Sequence, residues 1–145
     1  MTSYVVGFLF TQDASRVALI RKSHPEWQRG RLNGIGGKIK PDETPADAMR
    51  REFFEEAGLD FGGWRHFVTL RGPQNGGWEV HFFEAAAPTN IVRSLRGQED
   101  EEVVVTQVHH LGDADIIPNL RWLVPLALDP CVALADVAEN GRGNA

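Results

Sequence analysis

Apolar positions along the chain fall into short runs of strand length, with helical spacing in two places. Tyr4 to Phe10 is aromatic and β-branched, and Val17 to Ile20 follows a polar turn at Gln12 to Ser15, so the opening predicts a strand pair. Ser23 to Arg31 is polar and carries Pro25 and Gly30, which marks a loop before Leu32 to Ile35 and a turn at Gly36-Gly37. Phe67 to Leu70 and Trp78 to Phe83 flank the Gly-rich stretch Gly72 to Gly77, the pattern of two strands joined by a hairpin loop. Val103 to Val108 predicts another strand.

The clearest helix runs from about Pro45 to about Ala57. Thr44 can cap it, Pro45 suits the first helical position, Asp47 completes a capping-box-like pair, and Gly58 can take the left-handed position that ends it. Ala46, Met49, Phe53 and Ala57 form its apolar stripe. A second helical pattern opens at Pro118, with Leu120, Leu123, Val124 and Ala127 at helical spacing and Pro125 expected to end or kink it. Strands mixed with two helices predict an α/β sandwich with a mixed sheet, in one domain over residues 1–135, followed by a frayed tail at 136–145.

Composition agrees with this. A chain of 145 residues with 42% hydrophobic composition is long enough to enclose a real core, and one domain is expected. A net charge of -5 argues against a sequence-independent binder of nucleic-acid polymers. A polyanionic ligand then needs local cations, and Lys22, Arg29, Arg31 and Lys38 surround the Gly36-Gly37 region. The lone Cys131 cannot form an internal disulfide, which fits a reducing compartment; it is expected as a small buried residue. No basic leader and no long apolar stretch is visible, so the expectation is a cytoplasmic protein without membrane insertion. His109 and His110 lack a partner at ligand spacing and are expected to be structural or solvent-facing.

Glu52, Glu55 and Glu56 stand at i, i+3 and i+4, which places three carboxylates on one helix face. Arg51 and Glu55 supply an i,i+4 pair, but one pair does not neutralise the cluster. Hard oxygen donors without histidine or cysteine favour magnesium, or manganese, over zinc. Gly37, five residues, Glu43, seven residues, Arg51-Glu52-Phe53, one residue, Glu55-Glu56, one residue, Gly58-Leu59 resembles the signature of the Nudix hydrolase family without a gap. Seven fixed identities at usages of roughly 7% each coincide by chance about once in 10⁸ windows, which excludes an accidental match.

The resemblance implies a Nudix-type α/β/α sandwich, with the catalytic helix after the Gly36-Gly37 loop. It implies a catalytic set of Arg51, Glu52, Glu55 and Glu56, with metal held by those three glutamates and the Gly37 carbonyl. Arg51 would orient a glutamate, Glu43 would stand in a supporting ion pair, and Gly58 is structural. Many members add a carboxylate from a later loop, for which Glu99-Asp100-Glu101-Glu102 is the candidate stretch and Glu101 the narrow preference. Leu32-Asn33-Gly34-Ile35-Gly36-Gly37-Lys38 is similar to the MutT-type branch, which acts on oxidised purine nucleoside triphosphates such as 8-oxo-dGTP. Asn33 would then reach the base, Trp27 could stack on it, Asn119 or Trp122 could line the same pocket, and Lys38 could meet phosphate. Leu32 and Leu120 depart from that branch, which weakens the case for oxidised guanine.

The function implied is magnesium-dependent hydrolysis of a nucleoside diphosphate linkage in a small nucleotide, a triphosphate giving monophosphate and pyrophosphate. Cleavage of ADP-ribose, a dinucleotide or another conjugate is the alternative, and a nucleotide-binding module without turnover is a third. Such modules lose carboxylates from the signature; here none is lost.

Overall fold

The computed structural model describes residues 1–73, 77–98 and 100–140. Strands β1 (Thr2–Thr11) and β2 (Arg16–Arg21) form the expected antiparallel pair, with Leu9 opposite Ala18. Alternation along both decides which side each residue covers. Val5, Leu9, Ala18 and Ile20 enter one core, while Phe8, Phe10, Val17 and Leu19 enter another on the opposite face. Helices cover both faces, so the α/β/α sandwich is the observed architecture.

Leu32–Asn33 form β3 on β2, and Ile35–Lys38 form β4 on β1. This corrects the expected Gly36-Gly37 turn. Both glycines lie within β4, opposite Val6 and Val5. They are needed for close approach: a side chain on Gly36 would collide with the Val5 backbone. Helix α1 then spans Pro45–Ala57 as expected, with Asp47 N–H donating to Thr44 Oγ1 at 3.1 Å and Gly58 at φ 78° closing its end. Its buried residues are Ala48, Met49, Phe53 and Ala57. Ala46, placed in the stripe by spacing, is exposed because it sits in the first turn, and Ala48 takes its place in the core.

Strand β5 (Arg65–Arg71) pairs antiparallel with β6 (Trp78–Ala87), and β6 pairs parallel with β1. Residues 74–76 of the Gly-rich connection lie outside the described residues. A short helix α2 (Thr89–Ser94), which the apolar spacing did not signal, buries Val92 on the α1 side. Strand β7 (Glu102–Gln107) pairs with β2. Helix α3 (Leu120–Leu128) buries Leu120, Leu123, Val124 and Ala127 on the opposite face. It runs through Pro125 to Leu128, so of the expected end or kink the end does not occur; burial of the apolar face outweighs one lost backbone hydrogen bond. The expected tail is also corrected. Ala135–Ala138 form β8, parallel to β5 at the sheet edge, and residues 141–145 lie outside the described residues. Cys131 is exposed in the turn after α3, not buried as expected. His109 and His110 are exposed.

The main sheet order is β3-β2-β1-β6-β5-β8, with β4 also on β1 and β7 also on β2. Among the described residues no helix is long and apolar enough to cross a membrane.

Candidate active site

Pinning α1 by Met49, Phe53 and Ala57 turns Glu52 and Glu56 towards β4. Glu55 points outward, with half its side chain exposed (51%). Arg51 ties this rim together. Its guanidinium donates to both oxygens of Glu43 at 2.7 and 2.8 Å, to Glu52 Oε1 at 2.8 Å, to Glu55 Oε2 at 3.2 Å and to the Lys38 carbonyl at 3.1 Å. The fork pairing with Glu43 raises the Arg51 pKa further and holds the Glu43 carboxyl down at about 2. The expected Arg51 to Glu55 pair exists but is the longest and most exposed of these contacts, hence a weak one.

Glu56 accepts the Gly36 N–H at 3.0 Å. Burial pushes its carboxyl up to about 7; Lys22 opposes the rise, and Glu52 and Glu101 add to it. Gly37 packs directly under Glu52, so that a methyl placed on Gly37 would stand 2.5 Å from the Glu52 carboxyl carbon.

Of the acidic run, the structure brings Glu101 in. Ser23 donates to Glu101 Oε2 from its backbone N–H at 2.7 Å and from its hydroxyl at 2.9 Å, and Lys22 Nζ lies 3.9 Å from Oε1. Glu102 points away and pairs with Arg21 at 2.8 Å, Asp100 is exposed, and Glu99 lies outside the described residues. Among the described residues no three acidic, histidine or cysteine side chains are already gathered as a metal cage, and Arg51 engages Glu52 and Glu55. The donors nevertheless fit a hard divalent cation. They are oxygen-only, and the burial and neighbouring carboxylates that push the Glu56 carboxyl up are a cost that a cation could offset.

Glu52 and Glu56 line a cleft of about 980 Å³. Thr2, Tyr4 and Val6 of β1 and Trp78, Val80 and Phe82 of β6 line it in matched register. Trp27, Gln28 and Asn33 form one wall, and Ile117, Pro118, Asn119 and Trp122 another. Asn33 Oδ1 accepts the Gly34 N–H at 2.7 Å, and its amide donates to Gln28 Oε1 at 3.2 Å. Asn119 precedes α3 without a side-chain capping bond. Trp27 and Trp122 are both exposed at the cleft (48% and 41%).

Trp27, Asn33, Gly37, Lys38, Glu52, Glu56 and Asn119 thus share one cleft, whereas Arg51, Glu43, Glu55 and Gly58 do not line it. Glu101 lines an adjoining pocket that shares Lys22 with the cleft. Lys22 and Lys38 line the cleft, while Arg29 and Arg31 are engaged by Glu26 and Asp115. Sequence reasoning missed Tyr4, Trp78, Ser23 and Glu139. Period-two alternation of Thr2, Tyr4 and Val6 could have shown Tyr4 sharing a face with Val6. The partners of β6 and the packing of Ser23 carried no such signal.

Fold, helix and cleft together define a Nudix-domain protein: the NUDIX domain model matches residues 1–126, and the chain belongs to that family. Nudix proteins generally use divalent metal ions. Among curated relatives, the oxidized purine nucleoside triphosphate hydrolase of Mus musculus is 30% identical over 104 residues, covering 68% of this chain and 64% of that protein. RNA pyrophosphohydrolases of Pseudomonas putida and Pseudomonas fluorescens are 43% identical over 56 residues, 38% of this chain. The matched stretch spans about a third (32%) of the length of those relatives. A structure from work on MutT of Aliivibrio salmonicida and Vibrio cholerae superposes with a TM-score of 0.70 at 20% identity, covering 88% of this chain and 97% of that one. The NUDIX domain of Shewanella oneidensis NrtR, solved with ADP ribose, gives 0.72 at 18% identity, covering 87% and 85%.

Proposed function

We propose that this protein hydrolyses a nucleoside diphosphate linkage with magnesium, or manganese in its place, converting a nucleoside triphosphate to monophosphate and pyrophosphate. One observation carries the reading: Glu52 and Glu56 line the same cleft as aromatic rings and side-chain amides. Bound magnesium would neutralise phosphate oxygens and lower the pKa of a bound water. Glu52, Glu55, Glu56, Glu101 and the Gly37 carbonyl are the groups proposed to hold it.

Arg51 positions Glu52 and Glu55 and is itself anchored by Glu43, so the carboxylates keep their places without substrate. Water attacks phosphorus, the bond from that phosphorus to the bridging oxygen breaks, and the water's proton passes to a carboxylate of the cluster before release to solvent. Lys22 and Lys38 supply positive charge for the phosphates. Trp27 offers a face to the base, while Asn33 and Asn119 offer amide donors and acceptors to its edges.

Purified protein incubated with magnesium and a panel of canonical and oxidised nucleoside triphosphates should release monophosphate and pyrophosphate. Nucleotide left unchanged after long incubation, despite tight binding, would instead identify a binding module. A second reading, cleavage of ADP-ribose or another nucleotide conjugate, is favoured by the ADP ribose in the Shewanella neighbour. Including those compounds in the same screen separates the two by product.

A further inference from the structure

Glu139, the residue after strand β8, lies beyond the segment matched by the family model, residues 1–126, yet it lines the cleft. Ala138 stands opposite Arg71, and the Glu139 N–H donates to the Arg71 carbonyl at 2.9 Å. Arg71 also faces Glu79 on β6, and Thr2 faces Trp78. Continuing these registers by one residue puts Glu139, Gly72, Trp78 and Thr2 in one row across the sheet. Within that row the Trp78 indole lies over Gly72, where any side chain would collide with it, so the ring leans towards β8. Glu139 lines the cleft, and its carboxylate has no hydrogen-bond or ion-pair partner among the described residues.

The location is far from the phosphate chemistry. From β4, which carries Gly37, to β8 is four strand spacings, on the order of 19 Å. A ligand whose diphosphate meets Glu52 and Glu56 would extend its other end towards Trp78 and Glu139.

We propose that Glu139 is the specificity-determining residue at this end of the cleft, selecting a base that presents two adjacent N–H donors, as the N1–H and 2-amino group of guanine do. The inference rests on the nucleoside triphosphate hydrolysis proposed above, and it assigns the base to Trp78 and Glu139 in place of Trp27, Asn33 and Asn119. A carboxylate offers two acceptor oxygens and no donor. The guanine edge satisfies both oxygens at once. Adenine and cytosine each present an amine beside an acceptor nitrogen, which repels the second oxygen, and uracil presents one N–H between two carbonyls. Trp78 supplies a stacking face for the same ring.

The test compares wild type, Glu139→Gln and Glu139→Ala on GTP, ITP, ATP and CTP with magnesium, separating kcat from KM. Wild type should prefer GTP over ITP, which lacks the 2-amino group, and over ATP. Either variant should lose roughly 10- to 100-fold in kcat/KM on GTP, mainly through KM, and far less on ATP, so that the preference collapses. Equal losses on all four nucleotides, or none on GTP, would overturn the assignment while leaving the hydrolase reading intact. If wild type hydrolyses none of them, that reading fails separately. Tryptophan-fluorescence titrations with GDP and ADP then decide Glu139: a guanine preference in wild type that both variants lose supports it, and no such difference overturns it.

Discussion

Replacing Glu56 by glutamine should abolish turnover and yet stabilise the metal-free protein above neutral pH. The Glu56 carboxyl, ordinarily near 4.5, is raised to about 7, first by burial and then by Glu52 and Glu101, against the pull of Lys22. Between these two pH values the folded chain holds a proton that the unfolded chain has released. Stability therefore falls as pH rises from about 4.5 to about 7 and levels off beyond it. Two and a half pH units amount to about 3 kcal/mol at most, and solvent at the cleft reduces this to about 1 to 3 kcal/mol. Glutamine keeps an oxygen for the Gly36 N–H, bonded at 3.0 Å in the native site, and cannot ionise. For a chain of this size the variant should melt about 3 to 10 °C above wild type at pH 8 in chelator, with the gap closing near pH 4.5. Thermal unfolding followed by circular dichroism from pH 4.5 to 8.5 measures this directly. Magnesium should narrow the gap by stabilising wild type more than the variant. A variant no more stable than wild type at pH 8 in chelator would refute the claim that burial and repulsion at Glu56 cost folding energy.

The two glycines of β4 should separate function from stability. Gly37→Ala pushes the movable Glu52 side chain aside, so activity should fall about ten-fold or more with little change in melting temperature. Gly36→Ala meets the Val5 backbone, which cannot swing away, and should cost about 2 kcal/mol or more in urea unfolding. The same loss of stability in both would contradict the contacts on which the contrast rests. Within the acidic run, Glu101→Gln should weaken magnesium dependence and activity by about 10- to 100-fold. Glu102→Gln, exposed beside Arg21, should change either by less than about two-fold. Equal effects of the two would remove Glu101 from the site.

Local signals were legible wherever one segment carries its own physics. Thr44, Pro45 and Gly58 bound α1 because capping and glycine conformation act within a turn or two. The apolar runs Tyr4 to Phe10 and Val17 to Ile20 marked β1 and β2 because aromatic and β-branched residues favour strand within a short window. The carboxylate face of Glu52 and Glu56 follows from helical spacing alone. Errors arose where a partner overrode local preference. Gly36 and Gly37 have the composition of a turn, but pairing with Val6 and Val5 makes them strand. Pro125 lowers helix propensity, but the core beneath α3 keeps the helix going. The polar sequence at Asp136 has the character of a tail, but the open edge of β5 recruits it.

By itself the sequence therefore determined the family, the α/β composition, the boundaries of α1 and the residues of its carboxylate rim, because all of these depend on spacings within a short window. Tertiary structure decided the rest. The parallel pairing of β1 with β6 builds the cleft, the pairing of β2 with β7 brings Glu101 to Ser23, and the pairing of β5 with β8 delivers Glu139. Each of those contacts joins residues more than sixty positions apart, and their meeting depends on strand order, which no local periodicity encodes.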